Sequence, residues 1–559
     1  MPSVYSLITI VSLAAASTAL ASDQASTYAK LTEDSRAARA SAKHVVAPGP
    51  FQPTWDSLEK GYQCPEWFRD AKFGIWAHWS AQCVPEQGDW YARDLYLQGN
   101  PDYTWQVEHY GHPSKVGFKD IDHAWNAEHW DPEKLMDLYV RAGAHYFMAL
   151  ANHHDNFDCY DSTYQPWNSV NVGPHKDIVG TWAKVAREHG LRFGVSNHSS
   201  HAWHWFQVAY GHDVEGPLKD VPYDGFLTQA DGKGQWWEGL DPQDLYCGLR
   251  IPMPQAFASA KEAEAWHKKN DGHWYEDIPP NDNGYSEKWF LRTQELVDKY
   301  HPDMLYFDDN DLPLGQKGLD VVAHFYNASI SWNGSNQAVV EGKKLKPEER
   351  SGIVEDYERG MSDEIKPAPW QTDTCIGVWH YKRGIKYKTV SQVVQMLCDI
   401  VSKNGNLMLN IPVRGDGTID DDEIAFLKGL SKWMDVNKEG IFSTRPWKVF
   451  GEGPPKPPAG MFSEGKLAYS AADIRFTTKG SDTLYAYFLG WPVDHTLTIK
   501  ALRHSTSGEA DLLDRAIGSI ALLGSSTPLS WTRDQDGLHI KLPEVAPSEG
   551  ACALKLTLN

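Results

Sequence analysis

The chain has 559 residues and a formal net charge of −21, which argues against nucleic acid and anionic membrane surfaces as partners and leaves neutral ligands open. Hydrophobic cores stop growing at about 250 to 300 residues, so a chain of this length is expected to fold as two domains. Its 24 Trp and 25 Tyr supply flat faces that suit either a large aromatic core or the apolar faces of sugar rings.

Residues 1–21 (MPSVYSLITIVSLAAASTALA) have an apolar centre and close on Ala19-Leu20-Ala21, the small-x-small pattern of a secretory signal cleaved before Ser22. No later stretch is apolar for the ~20 residues needed to cross a bilayer. The expected location is therefore outside the cell, or in a lysosome or vacuole, and no membrane partner is expected. Sequons at Asn197, Asn327 and Asn333 are compatible with a glycoprotein. The seven cysteines form no CxxC pair, which argues against a zinc ribbon or a redox motif.

Residues 22–50 read as a polar lead-in. Over residues 51–450 short apolar runs alternate with amphipathic helices. The runs are Phe73 to His78, Tyr146 to Ala151, Leu191 to His198, Met304 to Asp308, Gly352 to Glu358 and Asn406 to Pro412. Helices are expected at Pro132 to Ala142, Asp177 to His189, Glu287 to Tyr300, Leu319 to Tyr326 and Val390 to Lys403, where apolar residues recur three and four apart. Strands alternating with helices imply a parallel sheet, and six or more such units favour a (β/α)8-like barrel. The long inserts at 80–130 and 200–286 suit functional loops. The acidic run Asp416 to Glu423 lacks the spacing of a calcium loop and reads as a helix N-terminus. Over residues 451–559 the proline-rich stretch Gly451 to Gly460 reads as a linker. Alternating strands follow it at Thr483 to Phe488, Thr496 to Ala501, Leu538 to Leu542 and Ala553 to Leu558, the pattern of an antiparallel β-sandwich.

Polar groups collect where the barrel runs stop: His78; Asn152, His153, His154 and Asp155; His198; Asp308; then Asp356 and Glu358. Active sites of such barrels lie at the C-terminal strand ends, so these residues describe one pocket lined with histidine and carboxylate. Trp90, Tyr91, Trp203, Trp205 and Trp379 lie in or beside the adjoining loops. A divalent metal held by His153 and Asp155 is one reading, but neighbouring histidines on an extended segment point in opposite directions and there is no HExxH. A Ser-His-Asp hydrolase would need a nucleophile elbow, and no G-x-S-x-G follows a strand. Two carboxylates flanking a glycosidic bond, with His and Trp binding the sugar, is the remaining chemistry.

Five stretches in order carry a resemblance: FGIWAHWSAQCVPEQGDWY (Phe73 to Tyr91), HHDNFDCYDS (His153 to Ser162), PDMLYFDD (Pro302 to Asp309), DYERGMSDEIKPAPWQTDTCIGVWHY (Asp356 to Tyr381) and NGNLMLNIP (Asn404 to Pro412). Together they resemble the α-L-fucosidases of glycoside hydrolase family 29, over about residues 50 to 450. The resemblance implies a retaining exo-acting hydrolase that needs no metal or other cofactor, with fucosylated glycans as substrates. It implies Asp308 as nucleophile and His78, His153 and His154 as sugar-binding residues, although Ser80 stands where the family's HWG segment has glycine. Trp90 and Tyr91 match the family's loop aromatics. His198 and Tyr306 occupy positions where the family often has aromatics, and Trp379 is a further candidate contact. For the acid/base, Glu355 and Glu358 both precede Trp370, and on a strand residues three apart face opposite sides. The spacing from Glu358 to the following turn and Trp resembles the family's more common pattern, so the resemblance favours Glu358, with Glu355 as the alternative. A secreted glycan-binding protein that keeps the fold without turnover is the second functional reading.

Overall fold

The structure, a computed structural model, describes residues 5–254, 256–273, 278–454, 459–464, 468–505 and 510–559, with side chains from residue 22 onward. The expected signal segment has its first four residues outside the described ones. From Tyr5 its backbone begins a helix that runs to Ser41. Among the described residues no helix is long and apolar enough to cross a membrane.

Eight parallel strands close into a barrel in chain order. They are β1 (Phe73–Ala77), β2 (Tyr146–Asn152), β3 (Arg192–Asn197), β4 (Met304–Asn310), β5 (Val339–Lys343), β6 (Val354–Asp356), β7 (Trp370–Cys375) and β8 (Gly405–Asn410). β1 closes the ring by pairing with both neighbours, Ile75 lying level with Phe147 of β2 and with Leu409 of β8. Every residue of β1, β2, β5, β6, β7 and β8 is buried, because helices cover the outer face while side chains fill the inside. One glycine is required at a close approach: a Cβ on Gly74 would sit 2.2 Å from the ring of Tyr146, which fills the barrel interior.

The six apolar runs each fall on a strand, and the five expected helices form as Pro132–Arg141, Ile178–Glu188, Tyr285–Tyr300, Gln316–Asn333 and Val390–Ser402. Their starts follow capping chemistry. Asp131 accepts from the Lys134 amide ahead of a proline at the first helical position, and Thr389 with Gln392 forms a reciprocal capping box. Asp420 and Glu423 form another at the start of Asp421–Asn437, which is what the acidic run does. Two strands, β5 and β7, have no counterpart among the runs. Their inward residues are polar, including Glu341 and Lys343 on β5 and Gln371 and Asp373 on β7, all buried. A search for continuous apolar runs passes over them.

Among the described residues the C-terminal part holds eight strands: β9 (Arg445–Glu452), β10 (Ile474–Lys479), β11 (Thr483–Phe488), β12 (Thr496–Ile499), β13 (Ile517–Leu522), β14 (Ser530–Arg533), β15 (Leu538–Lys541) and β16 (Cys552–Leu558). They form a five-stranded sheet in the order β13-β16-β11-β10-β9 and a three-stranded sheet in the order β12-β15-β14, with antiparallel pairing throughout. Of the expected linker, Gly451 and Glu452 end β9 and residues 455–458 lie outside the described ones. Side chains of β11 alternate as a strand requires. Leu484, Ala486 and Phe488 join the core between the two sheets, whereas Tyr485 and Tyr487 join the core of the barrel part. The sheet is thereby fixed on the barrel's helices. The buried Arg475 of β10 pairs with Asp399, and the Trp433 indole donates to the Ala551 carbonyl at 2.8 Å.

Candidate active site

The C-terminal ends of the barrel strands open into a cavity of about 590 Å3. It is lined by nine of the residues singled out in the sequence: His78, Trp90, His153, His154, His198, Tyr306, Asp308, Glu358 and Trp379. Asn152, Asp155, Asp356, Trp203 and Trp205 do not line it, and neither do Tyr91 and Glu355. Tyr91 is fully buried and its phenol donates to Gln106 Oε1 at 2.6 Å, so only Trp90, held in a left-handed turn at φ 67°, reaches the cavity from that loop. Glu355 accepts from the Tyr357 hydroxyl at 2.6 Å and pairs with Arg350 at 2.7 Å on the other side of β6. Glu358 lies past the end of β6 and enters the cavity.

The carboxylates Asp308 and Glu358 share one cation. Lys343 Nζ, at the end of β5, lies 2.5 Å from Asp308 Oδ1 and 2.6 Å from Glu358 Oε2. Those two oxygens therefore lie no more than about 5.1 Å apart, the two distances laid end to end. The other Asp308 oxygen is 3.2 Å from His154 Nε2. Burial pushes the Asp308 carboxyl up, but the Lys343 ammonium and the His154 hydrogen bond outweigh it and hold Asp308 well below the usual carboxylate range. At Glu358 the balance goes the other way. Burial raises its pKa, Lys343 opposes, the nearby Asp308 charge raises it further, and the net is about 7. Burial lowers the Lys343 pKa, but the Asp308 and Glu358 carboxylates outweigh it and keep the ammonium charged. The next residue along β4, Asp309, is turned to the other face, where Ser200 Oγ donates to it at 2.9 Å and His201 Nε2 lies 3.0 Å away.

Burial holds His78, His153 and His198 well below the ordinary histidine pKa, so all three are neutral at physiological pH. A neutral imidazole carries one donor and one acceptor, which suits it to a sugar hydroxyl. Neighbours orient two of the rings. Gln82 Nε2 donates to His153 Nδ1 at 2.7 Å, which leaves the His153 proton on Nε2, and the His198 Nδ1 proton goes to the Asn152 carbonyl at 3.1 Å. Both His78 ring nitrogens are buried without a hydrogen-bond partner among the described residues. The Trp76 ring backs the site, 4.7 Å from His78, 5.0 Å from Tyr306 and 5.4 Å from Trp379.

Sequence reasoning missed Lys343, Asp373 and Trp76, which also line the cavity. Asp373 accepts from the Tyr306 hydroxyl at 2.8 Å. Lys343 and Asp373 sit on the two strands without an apolar signature. Trp76 lies two residues before His78, and a period of two marks it as facing the same way. Asp155, the partner of His153 in the metal reading, is instead tied to the Gln82 amide at 2.9 Å and the Phe157 amide at 3.1 Å. Among the described residues, the side chains that converge with His153 closely enough to hold a metal are His78 and His380.

A closed (β/α)8 barrel with two carboxylates and neutral histidines and indoles in one cavity at its C-terminal rim is an arrangement that suits glycoside hydrolysis. Residues 38–439 match the family model described as alpha-L-fucosidase, and residues 469–559 the model described as alpha-L-fucosidase C-terminal domain. The tissue alpha-L-fucosidase of Homo sapiens is 27% identical over 536 residues, covering 92% of this chain and 94% of that one. The plasma alpha-L-fucosidase of Homo sapiens is 26% identical over 535 residues, covering 91% and 92%. Among solved structures, the Thermotoga maritima alpha-fucosidase in complex with fucose aligns with a TM-score of 0.64 at 25% identity, over 90% of this chain and all of that one. This chain belongs to the alpha-L-fucosidase family.

Proposed function

We propose that the protein is a retaining exo-α-L-fucosidase that hydrolyses terminal fucosyl residues from glycans, secreted or held in a lysosome or vacuole. The observation that carries the mechanism is the spacing of Asp308 and Glu358 across Lys343. Retaining enzymes hold their carboxyls at about 5 to 5.5 Å, whereas inverting enzymes need about 6.5 to 9.5 Å to admit a water. The low pKa of Asp308 keeps it an anion fit to attack the anomeric carbon. The pKa of about 7 at Glu358 leaves it protonated in mildly acidic solution, so it gives its proton to the departing oxygen as the C–O bond breaks. In the second half, Glu358 takes a proton from water, the hydroxide displaces Asp308, and fucose leaves with its original anomeric configuration. Esterifying Asp308 removes one of the two anions beside Lys343 and adjacent to Glu358. Both effects lower the Glu358 pKa when it must act as a base. His78, His153, His154 and His198 hold the fucose hydroxyls, with Trp76, Tyr306 and Trp379 walling the ring.

Purified protein should release p-nitrophenol from p-nitrophenyl α-L-fucoside, with the α-anomer of fucose formed first by proton NMR. A well-folded protein that binds fucose and releases no p-nitrophenol would instead be a glycan-binding protein without turnover, and a first-formed β-anomer would sink the double displacement.

A further inference from the structure

Phe462 is 62% exposed, yet its ring stands at the mouth of the catalytic cavity. It comes from the segment between β9 and β10, outside the barrel, and that segment is fixed to the loop that carries Glu358. The Phe462 amide donates to the Glu358 carbonyl at 2.9 Å, the Glu464 amide to the Arg359 carbonyl at 3.1 Å, and the Gly460 amide to the Met361 carbonyl at 2.9 Å. The Glu464 carboxylate is held by Arg359 Nε at 2.8 Å, Thr374 Oγ1 at 2.6 Å and Lys388 Nζ at 3.0 Å. Phe462 itself has φ 55°, a left-handed conformation that a bulky side chain rarely adopts. The backbone of an aromatic residue that lines the cavity is thus held in an uncommon conformation while more than half of the residue faces solvent.

Chemistry says what stands opposite it. The leaving oxygen must come within hydrogen-bond reach of the acid, so the group that departs lies on the Glu358 side of the bond being cut. The residue joined by its backbone to Glu358 is Phe462. We propose that Phe462 is the platform of the aglycone subsite, on which the neutral hexopyranose bearing the fucosyl group lays its apolar face. This rests on the acid role of Glu358 and names the substrate class one ring beyond fucose.

The test compares kcat/KM on a fucosyl galactose disaccharide with that on α-L-fucosyl fluoride, whose leaving group is a single ion that cannot reach a platform. Phe462→Ala should lose roughly 5- to 10-fold more on the disaccharide than on the fluoride, the size expected for one aromatic stacking contact. Phe462→Tyr should keep the wild-type ratio. Equal changes on both substrates, or an unchanged disaccharide rate in Phe462→Ala, would overturn the subsite while leaving the fucosidase reading intact. A wild-type protein that hydrolyses neither substrate would overturn both.

Discussion

Neighbouring carboxyl groups on this chain receive different surroundings because successive strand residues face opposite ways. Asp308 meets Lys343 and His154 in the cavity, whereas Asp309 meets Ser200 and His201 behind the barrel wall. Glu355 and Glu358 divide too, Glu355 on β6 against Arg350 outside and Glu358, past the end of that strand, against Lys343 inside. Of the two, only Glu358 lines the cavity in which the proposed mechanism places the leaving oxygen, and protonating that oxygen matters little when the leaving group is already acidic. Glu358→Ala should therefore lose far more activity on a fucosyl disaccharide than on a dinitrophenyl fucoside, while Glu355→Ala should show no such dependence. Steady-state rates on the two substrates decide it, and an exchange of these behaviours would make Glu355 the acid.

Much of the barrel was legible at the level of elements because six of its strands are apolar runs and its helices begin at recognisable caps. Of the residues that end those runs, His78, His153, His154, His198, Asp308 and Glu358 line the cavity and Asn152, Asp155 and Asp356 do not; a strand's C-terminal end lies at the active-site rim, but not every side chain there faces in. What was not legible lies on β5 and β7. Their inward side chains are charged or polar because they face the carboxylates and one another, so the burial that makes them strands leaves no hydrophobic signature. Tyr91 shows the opposite failure: beside Trp90 in sequence, it turns into the core to reach Gln106.

Lys343 is the functional consequence of β5, and its charge has a defined effect on the pH profile. On the proposed mechanism the wild type needs Asp308 ionised and Glu358 protonated, so kcat/KM should fall above about pH 7, where Glu358 loses its proton. The acid limb should lie well below the usual carboxylate range, where Asp308 gains one. Lys343 lowers both carboxyl pKa values, so Lys343→Met should raise both and carry the whole profile to higher pH. A profile that stays in place while the rate drops would show Lys343 to be only a packing element.

At the scale of the molecule, segments remote in sequence are fastened to the barrel. The N-terminal helix packs its Tyr28 hydroxyl on the Asn171 carbonyl at 3.2 Å and its Thr32 hydroxyl on the Gly239 carbonyl at 2.9 Å. The segment before β10 is held against the Glu358 loop through Glu464. Neither contact has a local sequence signal, because long-range pairing depends on where the closed barrel brings loops together. The second of these segments brings Phe462 to the cavity, and the claim at the centre of the proposed mechanism is that Asp308 becomes covalently bonded to fucose. Treatment of the full chain with a deactivated fluorofucosyl fluoride, followed by intact-mass and peptide mass spectrometry, tests it most directly. The expected result is one fluorofucosyl group per chain, on Asp308, and none on Asp308→Ala. Active protein that takes up no label, or carries it on another residue, would contradict the claim.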